Sequence, residues 1–185
     1  MKNSMRFFVG ISLLVLVACY GCGAENSKAE MMAAQQAMEK AKSVFAEDLA
    51  PSNWLEAMQA WEQGQAAVLE GKPAKTYFLR AKSRFEKTAA IAKSTGDNMA
   101  KEIGSTQQSI NERLSKVQMA LERGGMSSKV AKQVKPVAVE VQEGTLTLDS
   151  LVSQGNYLKA RTLAQDLMTK IYNAELMIAG KKAAK

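Results

Sequence analysis

The sequence predicts an all-α fold of antiparallel helical hairpins packed into an elongated bundle, and three observations predict it. Only three prolines stand against 28 alanines in 185 residues, so helix breakers are scarce and the best helix former is abundant. Apolar side chains recur three or four positions apart along most of the chain, the period of one helix face. Glycine and proline gather in short clusters between those stretches, where turns belong. With 46% apolar, 6% aromatic and 23% charged residues, the composition fits one globular unit and excludes collagenous and wholly disordered classes.

Ser27-x-x-Glu30 offers a capping box just ahead of Met31, Ala34, Met38, Ala41 and Phe45, so a first helix is expected to start near Lys28. Leu49-Ala50-Pro51 interrupts it, and Asn53-x-x-Glu56 can cap a second helix with the stripe Trp54, Met58, Trp61 and Val68. Glu70-Gly71-Lys72-Pro73 supplies a stop and a restart. A third helix carries Tyr77, Ala81, Phe85, Ala89 and Ala92, and the short turn before it requires an antiparallel hairpin with the second. Alanines let the helices approach closely, while Trp54, Trp61, Tyr77 and Phe85 are expected to bury most of the apolar area.

Thr95-Gly96-Asp97-Asn98 has the composition of a break with a fresh N-cap, although a bent continuous helix also fits. Ile103, Ile110, Leu114, Val117 and Leu121 follow at helical spacing until Gly124-Gly125. From Val130 to Leu151 the apolar pattern fits a helix. The segment Val137 to Leu148, with Glu143-Gly144 at its middle, also fits a β-hairpin. Helix is preferred because the stripe extends past the valines on both sides, with an irregularity expected at Pro136. Gly155-Asn156-Tyr157 makes the last turn, and Tyr157, Ala160, Ala164, Leu167, Ile171, Ala174 and Ile178 form the most regular stripe before Gly180.

The first 18 residues read as an address. Lys2 and Arg6 precede an 11-residue apolar run, Phe7 to Val17, which is too short to span a bilayer comfortably, and small Ala18 follows. Leu16-Val17-Ala18-Cys19 resembles the lipobox of bacterial lipoproteins. That resemblance implies diacylglyceryl transfer to the Cys19 sulfur and cleavage before it. Cys22, which follows Tyr20 and Gly21, is the poorer acceptor. The expected organisation is a signal peptide over 1–18, an acylated cysteine and tether over 19–27, a helical domain over 28–180 and a basic tail over 181–185. With Cys19 acylated, Cys22 has no partner in its own chain, so packing must hold the fold. Tyr20, standing where the usual inner-membrane retention residue would be Asp, points to the outer membrane of a host with two membranes.

Gly155-x-Tyr157-x-x-Ala160 resembles the inter-helix turn of tetratricopeptide repeats, with a looser echo in Trp61, Gly71, Ala81 and Phe85 that departs from the 34-residue register. The alanine-rich pattern over about 28–95 is similar to small helical lipoproteins of bacterial envelopes. These resemblances imply a lipid-anchored scaffold or adaptor that faces the periplasm and works with an envelope protein partner. A rival expectation is a periplasmic holdase or apolar-ligand binder using the adaptable side chains of Met31, Met38, Met58, Met119 and Met168.

The sequence contains no histidine, so the usual general base and commonest metal ligand are missing. Zinc-ligand, phosphate-loop and serine-hydrolase motifs are likewise lacking. Ser127-Ser128-Lys129 could suggest a Ser/Lys dyad, but after Gly124-Gly125 it is better read as a helix start. No enzyme activity, cofactor or metal is expected. The net charge of +7 would suit nucleic acid or anionic lipid, yet export argues against nucleic acid and the charges are largely interspersed. The sign-pure cluster in the sequence is Lys181, Lys182 and Lys185. A lipid-bearing N-terminus, a helical body and a terminal lysine resemble Braun-type lipoproteins, which implies a possible side-chain link from Lys185 to peptidoglycan.

Overall fold

A computed structural model describes residues 27–124 and 126–180, and over these the protein is all-α. The elements are α1 (Lys28–Ser43), α2 (Ala46–Leu49), α3 (Pro51–Leu69), α4 (Lys75–Arg123), α5 (Ser128–Ser153) and α6 (Tyr157–Ile178). The signal peptide, the tether up to residue 26, and the tail over 181–185 lie outside the described residues.

Helix α4 organises the rest. Its 49 residues make a continuous rod of roughly 73 Å at 1.5 Å per residue. The first half of α4 packs with α1 and α3, and the second half packs with α5 and α6. Side-chain pairs fix the directions. Trp54 meets Phe85 and Trp61 meets Phe78, so α3 runs antiparallel to α4. Gln107 bonds Asp149 and Gln118 bonds Gln142, so α5 is antiparallel as well. Arg161 pairs with Glu102 and Arg113 with Glu175, which sets α6 parallel to α4. Two three-helix bundles therefore stand end to end on one shared helix.

The break expected at Thr95-Gly96-Asp97-Asn98 does not occur. Gly96 is buried inside α4, and a Cβ there would lie 2.8 Å from the Tyr157 ring and 3.4 Å from Leu49. The glycine thus serves close packing between the bundles. Gly64 does the same for the Phe78 ring and Gly144 for Leu167, at 2.7 and 2.4 Å from a built Cβ.

Helix α1 starts at Lys28 as expected but ends at Ser43 rather than at Leu49. Phe45 adopts a left-handed φ of 56°, at a cost of about 1 kcal/mol. Its ring turns away from the α1 stripe and lies against Gly155, itself at φ 73° in the turn before α6. Helix α3 begins with Pro51 at its first position and Ala50 as N-cap, earlier than the Asn53 cap expected. In α4, Phe78 rather than Tyr77 faces inward: Phe78 is fully buried and Tyr77 is exposed. The ambiguous stretch from Val137 to Leu148 is helical, within α5, and Pro136 sits on its exposed side. Water can there serve the carbonyl that lacks an amide donor.

The core has three parts. Eleven of fourteen buried residues in the first cluster are alanines, and Trp61, Phe78 and Phe85 supply its bulk. The far cluster is aliphatic, built on Ile110, Leu114, Val117, Val134, Val141, Leu167 and Ile171. Between them Met99, Ile103, Leu148, Ala160 and Ala164 form a waist, and Leu49 packs against both the waist and the first cluster. The buried hydroxyls are satisfied locally, Thr88 donating to the Arg84 carbonyl at 2.7 Å and Thr145 to that of Gln142 at 2.8 Å.

Candidate functional site

The expected acylation site Cys19, with Cys22, and the expected wall-attachment residue Lys185 lie outside the described residues. What the fold fixes is where the adjoining chain leaves it. Helix α1 starts beside the start of α4, where Glu30 Oε1 lies 3.1 Å from Lys75 Nζ. Helix α6 finishes beside the end of α4, where Ile178 lines a depression together with Lys116 and Arg123. The described chain therefore enters at one end of the rod and leaves at the other.

Among the described residues, no group of three or more Cys, Asp or Glu side chains could hold a metal ion, and no helix is long and apolar enough to cross a membrane. Ser127 is the N-cap of α5, its Oγ accepting from the Val130 amide at 3.3 Å. That gives the Ser127-Ser128-Lys129 segment the helix-start role expected of it. Of the five methionines singled out, Met31, Met38 and Met58 pack against the first cluster and Met168 against the far one. Met119 alone of the five is well exposed, at 43%.

The ion pairs join elements more than they build a pocket. Arg113 pairs with Glu175 and stacks over the Tyr172 ring at 5.7 Å, fastening α6 to α4. Lys170 reaches Asp166 and, across to α5, Glu140, each at 2.7 Å. Hydrogen bonds from Lys170 to Asp166 first, and then to Glu140, hold its ammonium above the ordinary lysine range.

Glu30 is held below the ordinary carboxylate range, chiefly by the hydrogen bond from Lys75 and next by a backbone amide. A depressed carboxylate contributes stability that is complete above its unfolded pKa and is lost as pH falls through its folded one. The melting-temperature advantage of wild type over Glu30→Gln should therefore shrink between neutral pH and about pH 3. A pH-independent difference would show that the Lys75 contact does not hold α1 to α4.

The fold also assembles a feature that sequence reading missed. Lys116 and Arg123 on the last turns of α4, and Lys129, Lys132 and Lys135 on the first turns of α5, are all exposed at the end where α6 finishes. Glu122 is the one carboxylate in the stretch from Lys116 to Lys135. Among the described residues no carboxylate lies within ion-pair distance of those five cations. The signal in the sequence was Gly124-Gly125; in the fold α4 stops at Gly124 and α5 returns antiparallel, which brings the second group to the same end. Met119, Met126 and Ile178 line the depression there, with Lys116 and Arg123 around it.

No protein-family model matches the chain, and comparison with curated proteins and with solved structures likewise finds no match.

Proposed function

We propose that the protein is a lipid-anchored, non-enzymatic helical scaffold or adaptor of a bacterial cell envelope, held to a membrane at Cys19 and presenting its paired-helix surface to another envelope protein. One observation carries this reading: Leu16-Val17-Ala18-Cys19 closes an 11-residue apolar run that follows Lys2 and Arg6. One further observation and one general principle support it. The fold starts at one end of a long rod, so a body fastened there projects its remaining surface away from the point of attachment. Stable anchoring needs more than one acyl chain, which lipoprotein processing provides. A tetratricopeptide-like use of the hairpin surfaces belongs to the same proposal, with Gly155 making the turn at φ 73° and Ala160 buried behind it. The host membrane is the outer one where there are two, on the strength of Tyr20.

The holdase reading draws less support, because four of the five methionines it needs are packed against the clusters.

The test is the intact mass of protein extracted from membranes, with Cys19→Ser as control. The expected species is a chain beginning at Cys19 and carrying acyl groups, replaced in the variant by an unprocessed, unacylated chain. An unmodified polypeptide with its leader attached, in wild type, would falsify the proposal.

A further inference from the structure

The basic end of the rod carries cations that pair with no carboxylate among the described residues. Lys129 and Lys132 stand in the first turns of α5, where the helix dipole favours acidic residues, and the first turn of α5 has none. Lys135, Lys116 and Arg123 add like charge beside them, and Glu122 is the one carboxylate between Lys116 and Lys135. Beyond Gly180 the sequence adds three more lysines and no acidic side chain. Such repulsion is a cost in the isolated molecule, and it is relieved when an external anion meets the surface.

The same end also exposes apolar atoms. Met119 is 43% exposed, and it lines a depression of about 450 Å3 with Met126, Ala120 and Ile178, while Lys116 and Arg123 complete the lining. An acidic polymer would match the charges and leave the methionines in water. An anionic bilayer matches both, since phosphates meet the ammonium groups while short apolar side chains enter the headgroup boundary. All five cations stand within about 10 Å, at 1.5 Å per residue, of the end where α4 finishes and α5 begins, so a planar partner that meets the rod at that end comes within their reach.

We propose that this end docks on a bilayer surface rich in anionic phospholipid, Lys116, Arg123, Lys129, Lys132 and Lys135 contacting headgroup phosphates while exposed Met119 and half-buried Met126 meet the headgroup boundary. With Cys19 acylated, the protein then bridges two bilayers across the length of α4. The bridging form rests on the anchored reading above, whereas the docking itself does not.

The experiment loads the acylated full chain into phosphatidylcholine donor vesicles and offers fluorescent acceptor vesicles containing phosphatidylglycerol or phosphatidylcholine alone. Flotation of the donors reports the anchor, and acceptor capture reports the basic end. Capture of the anionic acceptors only is expected, and it should weaken with rising salt. Changing Lys129, Lys132 and Lys135 together to Gln should weaken it about 100-fold, at roughly a factor of five per cation, with unchanged circular dichroism. Met119→Ser with Met126→Ser should weaken it while its salt dependence persists.

Donors that float with protein but capture no anionic acceptors overturn the docking proposal and leave the anchor intact. Protein that does not float with donors overturns the anchor, and its binding to phosphatidylglycerol vesicles is then read directly with the same variants. Absence of binding there overturns the docking too. Sedimentation with purified peptidoglycan that depends on the three lysines, without vesicle capture, identifies a carboxylate polymer as the partner and overturns the lipid assignment.

Discussion

Phe85→Ala is expected to lower the unfolding free energy by about 3–5 kcal/mol, the range for removing a buried aromatic ring. Phe85 has no exposed surface, and its ring lies 5.3 Å from that of Trp54 at a tilt of 57°. The cost should fall at the upper end because of what surrounds it. Most of that cluster is alanine, whose methyl groups have no rotamers with which to refill the space, so the cavity persists. Both tryptophans of the chain belong to this cluster or pack against it, so their fluorescence in urea follows this bundle while circular dichroism follows the whole fold. The variant should unfold earlier by both signals. A loss under about 1 kcal/mol would mean that the helices close over the gap, contrary to the packing described.

Asp97→Pro should be nearly as damaging, at about 3 kcal/mol or more, although Asp97 is exposed and its side chain is in no ion pair of the described residues. The effect is purely one of backbone. Proline removes the amide that bonds the carbonyl four residues earlier and pushes its ring into that turn, in the middle of a helix that runs from Lys75 to Arg123. Asp97→Ala is the control, expected to leave stability unchanged within about 0.5 kcal/mol or to raise it slightly. In the proline variant the tryptophan and circular-dichroism transitions should separate, because the two bundles lose their common strut. If both variants unfold at one midpoint, α4 is interrupted near Asp97 in solution.

The all-α class was legible because alanine content and helical spacing agree along most of the chain. Helix α6 follows its stripe residue by residue, with Ala160, Ala164, Leu167, Ile171 and Ala174 all buried. The misreadings share a physical cause. Thr95-Gly96-Asp97-Asn98 has turn composition, yet tertiary packing decides its conformation, because only a glycine leaves room for the Tyr157 ring at that face. Gly144 posed the same ambiguity, and there the preferred helix is what forms. Its hairpin-like neighbourhood resolves to helix once Leu167 occupies the space where a side chain would be. Phe45 fits the α1 period but leaves the helix, drawn by Gly155 more than a hundred residues further along, which no local pattern reveals.

The candidate site divides the same way. The lipobox is a contiguous signal, and sequence is sufficient to suggest it. The basic end is not contiguous in its effect. Lys116 and Arg123 stand on one side of the Gly124 turn and Lys129, Lys132 and Lys135 on the other, so a reading that scored charge along the line saw interspersed residues. Only the antiparallel return of α5 brings them to the same end of the rod.

The entry and exit of the chain at opposite ends of α4 also decides how the protein bears load. Tension applied between Lys28 and Gly180 acts lengthwise, so α1 and α6 must slide along α4 over many side-chain contacts at once instead of peeling off turn by turn. The zipper-like geometry, in which contacts fail singly at low force, is absent for that direction of pull. Tugging across the Gly124 turn would meet it instead, and the two directions should differ in rupture force in a single-molecule stretching experiment.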